Sequence, residues 1–416
     1  MPKDVLILGG GFAGLAAAGR LAMARLCGAD VSVRLIDRLP HSVFLPLLPD
    51  LISGGIAPEH ICHPLEPHCC RIGVEFVHAE ARGIDLAGCR VVTSAGDFTA
   101  DYLILAPGSE TNFYGNDSFR GRVHGLKGPA EAAALRRDVR RRIARSRGPV
   151  PVLVIGGGYS GFEAAGQIAR LVHLETRLPY DRIARAARIQ VIEAAPQVLP
   201  HSSPAVRRSV TDLVARYGVE VRTGVTLRNV PEPGTAELTD GAVVRDAVVL
   251  WTPGVKPASA LDALSVARAR DRRLIADAHL RLPGFPRVFV AGDAASATPP
   301  GRSAPLYMGV QFSLRGGTCA AVNVLRAIRG KPPAVFDPWD LGYLVPLAGG
   351  RAAGRVLGRE TCGRIPCTLH YAMCIARSWG WRNRAGVAGD LLSRRSLPDD
   401  SLHAGGAAPC DKTAPI

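Results

Sequence analysis

One unit occurs twice in this chain, and it fixes what the chain can fold into. Val5 to Leu8 is a short continuous apolar run; GGGFAG follows, then an Ala-rich stretch of helical pattern from about Gly14 to Met23, then the apolar run Val31 to Ile36 ending in Asp37. About 147 residues later Pro151 to Ile155 is apolar, GGGYSG follows, Phe162 to Leu171 is helical in pattern, and Ile189 to Ile192 ends in Glu193. Continuous apolar runs of this length suit strands covered on both faces. The repeated order of strand, turn, helix and strand predicts an α/β chain with two Rossmann-like dinucleotide-binding domains.

The spacing of the glycines carries chemistry. A pyrophosphate can approach the backbone only at the start of a helix, where unpaired amides and the dipole present positive charge and no side chain intrudes. Gly9 permits the tight turn, Gly11 the approach of the phosphate and Gly14 the packing of helix on strand; Gly156, Gly158 and Gly161 repeat the pattern. One such motif is weak evidence, but each copy here has a strand before it, a helix after it and an acid ending the next strand. Asp37 and Glu193 can each accept hydrogen bonds from ribose hydroxyls, and a carboxylate at the second place repels a 2′-phosphate, which favours NAD over NADP.

Other classes fall away. At 416 residues, with 47% hydrophobic and 21% charged, the chain is expected to form two or three cored domains and not a disordered one. Its net charge of +15 attracts anions, but no basic segment carries interleaved aromatics or a zinc-finger spacing, so no nucleic-acid partner is expected. Ten cysteines without regular spacing suit a reducing cytoplasm. The cluster Cys62, His63, His68, Cys69 and Cys70 lacks paired knuckles, and no metal site is expected. Three adjacent glycines break what could pass for an N-terminal signal helix, and no uncharged apolar run is long enough to span a bilayer. The Arg-rich stretch from Glu131 to Arg145 reads as a solvated helix, and KPPAVFDPWD, starting at Lys331, as a linker.

The order of glycine turn, LILAPGSETNFYG, second glycine turn, VVLWTPGVKP and RVFVAGDAAS resembles the two-dinucleotide-binding-domain flavoproteins of the pyridine nucleotide-disulfide oxidoreductase superfamily. Within them it is similar to the type II NADH:quinone oxidoreductases, the single-subunit, non-pumping NADH dehydrogenases, over roughly residues 4 to 358. The resemblance implies FAD on the first unit, NADH on the second and an NAD domain inserted in a discontinuous FAD domain. The expected divisions are 1–147 and 256–330 for FAD, 148–255 for NAD(H), 331–395 for a quinone- and membrane-interacting region, and 396–416 for a disordered tail.

It also implies site residues. Asp293 matches the aspartate that binds the flavin ribityl chain, with Gly292 allowing the backbone close, and Phe44 to Pro58 matches the segment beside the flavin ring. Glu163 matches a glutamate near nicotinamide and flavin, and Gln311 the first glutamine of the quinone-site helix. Two departures stand out: Gln167 where a second glutamate is usual, and Arg315 where a second glutamine is usual. The acceptor is thus a quinone or another small electron acceptor, and a homodimer is compatible with the family. In the segment 364 to 384, Ile365, Leu369, Met373 and Ala376 fall at helical spacing, with Trp379 and Trp381 among Arg377, Arg382 and Arg384. A peripheral anchor on the inner face of the membrane fits that pattern, as does a helix packed on its own domain.

The alternatives are a soluble NAD(P)H oxidase or reductase with another acceptor, a sulfide:quinone oxidoreductase drawing on Cys319 and Cys362, and an FAD-bound sensor without turnover. Dithiol reductase chemistry needs a cysteine pair beside the flavin, and residues 38 to 58 contain no cysteine.

Overall fold

The computed structural model describes residues 1–393. The tail expected at 396–416 lies outside the described residues.

The chain runs β1 (Lys3–Leu8), α1 (Phe12–Leu26), β2 (Val31–Asp37), β3 (Glu75–His78), β4 (Tyr102–Leu105), α2 (Pro129–Arg145), β5 (Val150–Ile155), α3 (Tyr159–Thr176) and β6 (Ala187–Glu193). It continues through α4 (Pro204–Arg216), β7 (Val219–Thr223), β8 (Val248–Trp251), β9 (Phe285–Val290), α5 (Val310–Ile328), β10 (Gly342–Leu347), β11 (Arg351–Val356), β12 (Arg359–Gly363), α6 (Arg364–Arg377) and α7 (Trp381–Ser393).

Two parallel sheets form the frame. The first has the order β9-β4-β1-β2-β3, with the short strand Arg281–Leu282 antiparallel at its edge beside β9. The second has the order β7-β6-β5-β8. Because β9 follows the whole second sheet in sequence yet pairs with β4, the chain leaves the first sheet, builds the second and returns. Leu6, Ile7 and Leu8 on β1 and Val152 to Ile155 on β5 are all buried, as strands covered on both faces must be. Each such side chain contributes about 1.5–3 kcal/mol.

Both helices that follow the glycine turns are longer than their periodicity suggests. α1 starts directly after Gly11, and α3 runs to Thr176, where Arg177 takes a left-handed φ of +59°. α5 crosses α1 at close range: a Cβ on Gly317 would lie 1.9 Å from the Ala13 carbonyl oxygen. Only glycine admits that contact.

α2 departs from the solvated helix expected at Glu131 to Arg145. Its Ala132, Ala133, Leu135 and Val139 are buried, and so is Arg136, at 1% exposure. The Arg136 guanidinium fills the space beside Gly54, at the end of the short helix Asp50–Ser53. Residues 331–340 form no regular element, yet Phe336 is buried there. Beyond them β10, β11 and β12 make an antiparallel sheet that packs against α3, α4 and α6.

Candidate functional site

The two glycine turns are built alike, and their glycines divide into two kinds. Gly9 and Gly156 sit at φ of +108° and +110°. A Cβ on Gly9 would lie 2.1 Å from the Ala106 carbonyl oxygen, and one on Gly156 2.6 Å from that of Thr252. Gly14 and Gly161 face the carbonyl oxygens of Gly9 and Gly156 at 1.7 and 1.9 Å from the ideal Cβ. The protein itself demands glycine at these four places.

Gly11 and Gly158 are different. Both have extended backbone, and a Cβ on either meets nothing within 4 Å. The space kept open lies at the first turns of α1 and α3, whose leading amides have no side-chain cap. Open room before uncapped helix amides is the cradle a pyrophosphate needs.

The acids ending β2 and β6 also match. Asp37 Oδ2 accepts from the Gly10 amide at 2.5 Å and Oδ1 from the Leu39 amide at 2.8 Å. Glu193 Oε2 accepts from the Gly157 amide at 2.7 Å and Oε1 from the Ala195 amide at 2.8 Å. Each carboxylate thus locks the middle glycine of its turn while keeping lone pairs for a ribose. Burial pushes the Asp37 carboxyl above its ordinary range, against the two amides that favour the anion.

A cavity of about 430 Å³ runs from Asp37 past Gly10–Ala13 to Gly292, Asp293 and Ser313. Gly292 stands at φ +70°, with the Ala13 Cβ 2.9 Å from where its own Cβ would be. Asp293 accepts from Ser109 Oγ at 2.7 Å and from Ser313 Oγ at 3.4 Å. Lys127 Nζ reaches Ser109 Oγ at 3.2 Å. Burial lowers the Lys127 ammonium below its ordinary range, although Asp293, Glu131 and Glu110 oppose this. Sequence reasoning missed Ser109, Ser313 and Lys127. Their one signal is that Lys127 stands in a chain whose basic residues are mostly arginine.

Phe12, Leu45, Asp293 and Ser313 line this cavity and also an adjoining chamber of about 640 Å³ with a mainly apolar lining. Tyr159, Ser160 and Glu163, on the first turns of α3, form part of its wall, and Leu357, Leu369 and Met373 form another part. Residues carried by the two glycine turns therefore face one space. Burial raises the Glu163 carboxyl well above its ordinary range, and the negative charge of Asp50 adds to this.

Gln311 lies at the same chamber with its amide fully engaged. Its Nε2 donates to Tyr307 Oη and Asp340 Oδ1, both at 3.0 Å, and to the Gly342 carbonyl at 3.2 Å, while its Oε1 accepts from the Leu341 amide at 3.0 Å. It ties α5 to the start of β10. Arg315 is exposed and is not among the chamber's lining residues. Gln167 is buried and donates to Asp50 Oδ1 at 2.9 Å.

Neither Cys319 nor Cys362 lines the chamber. Cys374 does, 3.5 Å from His370 Nε2, and burial pushes its thiol far above the ordinary range. A thiol held protonated is a poor nucleophile. In the cysteine–histidine cluster, His63 Nε2 and His68 Nδ1 hydrogen-bond at 2.9 Å, and His68 meets Trp379 edge-on.

At the surface, Ile365 and Trp381 are 84% and 74% exposed, and the chamber residues Leu357 and Leu369 67% and 38%. Arg364, Arg382 and Arg384 are exposed nearby in sequence. No helix among the described residues is long and apolar enough to cross a membrane.

Comparison with known proteins agrees with this architecture. The chain is 26% identical over 372 residues to the type II NADH:quinone oxidoreductase of Staphylococcus saprophyticus, covering 87% of this chain and 92% of that one. It is 29% identical over 409 residues to the type II NADH:quinone oxidoreductase Ndh of Mycobacterium tuberculosis, covering 91% and 85%. Its fold matches NDH2 from Plasmodium falciparum in complex with NADH with a TM-score of 0.83 at 15% identity, over 96% of this chain and 100% of that chain. The sulfide:quinone oxidoreductase of Aquifex aeolicus follows at a TM-score of 0.74 and 21% identity, over 92% of each. The family model of the pyridine nucleotide-disulphide oxidoreductases matches residues 3–313, and the chain belongs to that family.

Proposed function

We propose that this chain oxidises NADH and passes the electrons through FAD to a quinone. One observation carries the reading: Glu163 from the second glycine-turn helix and Asp293 from the return to the first sheet line one apolar chamber. A dinucleotide held on each turn would bring its reactive ring there. The relatives named as type II NADH:quinone oxidoreductases support the choice of donor and acceptor.

In this reading residues 1–147 and 256–330 hold FAD, 148–255 hold NAD(H), and 331–395 shape the acceptor side. FAD, when bound, supplies a carrier that takes two electrons as hydride and releases them to the acceptor. The chain's own residues do the rest. The N-terminus of α1, opened by Gly11, holds one pyrophosphate and Asp37 the ribose beside it; Asp293, fixed by Ser109 and Ser313, binds the polyol chain. The N-terminus of α3, opened by Gly158, and Glu193 do the same for NADH, and Glu193 disfavours a 2′-phosphate. Phe12 and Phe44, their rings 5.5 Å apart and edge-on, exclude water from the chamber wall. Gln311 is a positioning residue that fixes residues 340–342 where the acceptor enters.

A quinone partitions into lipid, so the exposed chamber residues Leu357 and Leu369, with the exposed Ile365 on α6 and Trp381 on α7, suit a peripheral contact with the inner face of the cell membrane, aided by arginines and the +15 charge. The test is direct. Purified yellow protein should turn over NADH with a soluble quinone far faster than it reduces a disulfide with NADH or a quinone with sulfide. It should also sediment with anionic vesicles, and the Ile365→Ser and Trp381→Ala double variant should lose about tenfold in vesicle affinity, or about 1.4 kcal/mol. Absence of quinone turnover in flavin-loaded protein rejects the reading.

A further inference from the structure

Another cavity, of about 790 Å³, lies outside both dinucleotide cradles and the chamber. It is bounded by α2, by Glu175 near the end of α3, by residues 121–124 and by the loop carrying Pro233 and Gly234. None of its lining residues belongs to a glycine turn, a strand-end acid or the chamber. Residues 121–124 form a partition, because Gly121 and Val123 line both this cavity and the one that runs past Asp37. The partition is pinned to β8 at the edge of the second sheet. There the His124 amide donates to the Val249 carbonyl and the His124 carbonyl accepts from the Trp251 amide, each at 2.8 Å.

Arginines converge on this space. α2 contributes Arg137, Arg140, Arg141 and Arg142 to the wall and the partition contributes Arg122, five guanidinium groups against two acids, Asp138 and Glu175. Both acids are engaged. Asp138 Oδ1 accepts from Arg141 Nη2 at 2.5 Å and from Arg142 Nε at 3.1 Å, and Oδ2 lies 3.1 Å from His124 Nε2. Glu175 Oε1 pairs with Arg140 Nε at 3.0 Å. Arg122 bonds through Nη1 alone, to the Val230 and Pro231 carbonyls at 2.8 and 3.0 Å, which fixes the group and leaves its other N–H donors available. No hydrogen bond or ion pair engages Arg137 among the described residues. Cations crowded round a concave space repel one another, and an anion placed among them relieves that repulsion.

We propose that this cavity binds a phosphorylated organic anion, with Arg122 and Arg137 on the phosphoryl group and Val123, Pro233, Ala247 and Val249 against the apolar body. A guanidinium presents a planar fork that matches two phosphoryl oxygens at once. Because its Nη1 is already tied to the main chain, Arg122 gives up little further side-chain freedom when an anion docks. The space is of the size that takes a small organic ligand. A phosphoryl group could come from a free solute or from a lipid headgroup. The cavity has no lining residue on α6 or α7, where Ile365 and Trp381 are exposed, and this favours the free solute. The site is independent of which acceptor the chamber takes.

Isothermal titration of the flavin-loaded protein tests this, with NAD⁺ at saturation so that the second cradle is filled and with phenyl phosphate and inorganic phosphate as probes. Phenyl phosphate should bind about tenfold more tightly than inorganic phosphate, since only it carries an apolar body to bury. The Arg122→Ala and Arg137→Ala double variant should lose about tenfold or more in phenyl phosphate affinity. Both side chains are exposed, so the variant should fold, and Arg137→Glu alone should lose at least as much while NADH-driven bleaching stays parental. The Arg82→Ala and Arg182→Ala double variant removes the same charge from exposed positions elsewhere and should bind like the parent. Sedimentation with phosphatidylglycerol vesicles separates the two sources of phosphate, and it should be equal in the parent and in Arg122→Ala with Arg137→Ala. A parent that does not bind phenyl phosphate, or prefers it no more than inorganic phosphate, overturns the proposal. So do equal losses in the two double variants, which would mean attraction by the whole surface. Loss of vesicle binding in Arg122→Ala with Arg137→Ala overturns the assignment to a free solute. None of these binding readouts uses a quinone, so a failure of the functional reading shows separately, as absent quinone turnover.

Discussion

The two glycine turns are near copies, yet the walls around them differ. In both, a glycine at φ near +110° abuts a carbonyl of the next parallel strand's loop, a strand-end acid locks the middle glycine, and the third glycine keeps space open. The first turn forms the floor of a cavity walled by residues 38–45, 106–113, 120–131 and 292–293. α5 closes over α1 through the contact of Gly317 with Ala13. The second turn instead offers the first residues of its helix to the chamber. We propose that the same cradle under different walls would keep FAD resident on the first turn and let NADH exchange on the second, because walls set the rate of release while the turn sets only the affinity for pyrophosphate.

The largest effects come from filling each turn. Gly9→Val should give colourless protein, while Gly156→Val should remain yellow and lose NADH-driven bleaching by on the order of 10²-fold, since misplacing the donor by an ångström costs that much. Absorbance of the purified proteins and anaerobic stopped flow read both outcomes. A Gly156→Val protein that bleaches at the parental rate breaks the comparison.

Smaller effects sharpen it. Asp37→Ala and Glu193→Ala each strip a turn of two accepting oxygens and leave one buried glycine amide, Gly10 or Gly157, unpaired, at about 1–3 kcal/mol apiece. The first should appear as weaker FAD retention in a dilution series. The second should appear as a raised KM for NADH and a smaller preference over NADPH. Swapped phenotypes contradict the assignment of resident and exchanging sites.

The smallest effect lies outside both turns. His60 Nδ1 meets Asp390 Oδ2 at 2.6 Å, tying α7 to the segment before β3. The Asp390 hydrogen bond raises the His60 imidazole above 6.5, so its stabilisation is full below pH 6.5 and is lost as pH rises through the folded-state value. With His60 30% exposed, the contribution is below about 1 kcal/mol. Hydrogen exchange of residues 381–393 should quicken above neutral pH in the parent and be pH-insensitive, beyond intrinsic rates, in His60→Gln. FAD content and NADH bleaching should not follow that change.

Local pattern made most of the frame readable. β1, α1, β2 and their later copies announce themselves because parallel strands buried on both faces must be continuously apolar and because a phosphate cradle restricts residue type at fixed offsets. β11 hid from that reading: RAAGRV looks polar, and its Gly354 is there because a Cβ would strike the Tyr343 carbonyl oxygen at 2.1 Å. Arg136 escaped too, since its burial depends on Gly54, far away in sequence. At the site, Asp37 and Glu193 were legible from their strand-end positions, and Asp293 only through the family resemblance. Asp50 was not, because its partners Gln167 and Tyr371 lie 117 and 321 positions away. Sequence comparison flagged Gln167 only as a missing carboxylate, while the folded chain seats another carboxylate on its amide.

The proposed function requires hydride to pass from a dinucleotide on the second turn to a flavin on the first. Anaerobic addition of equimolar NADH to the purified yellow protein measures it, followed by a soluble quinone. The prediction is rapid loss of the flavin absorbance and its full return on quinone addition. A flavin that stays oxidised in the presence of NADH contradicts it.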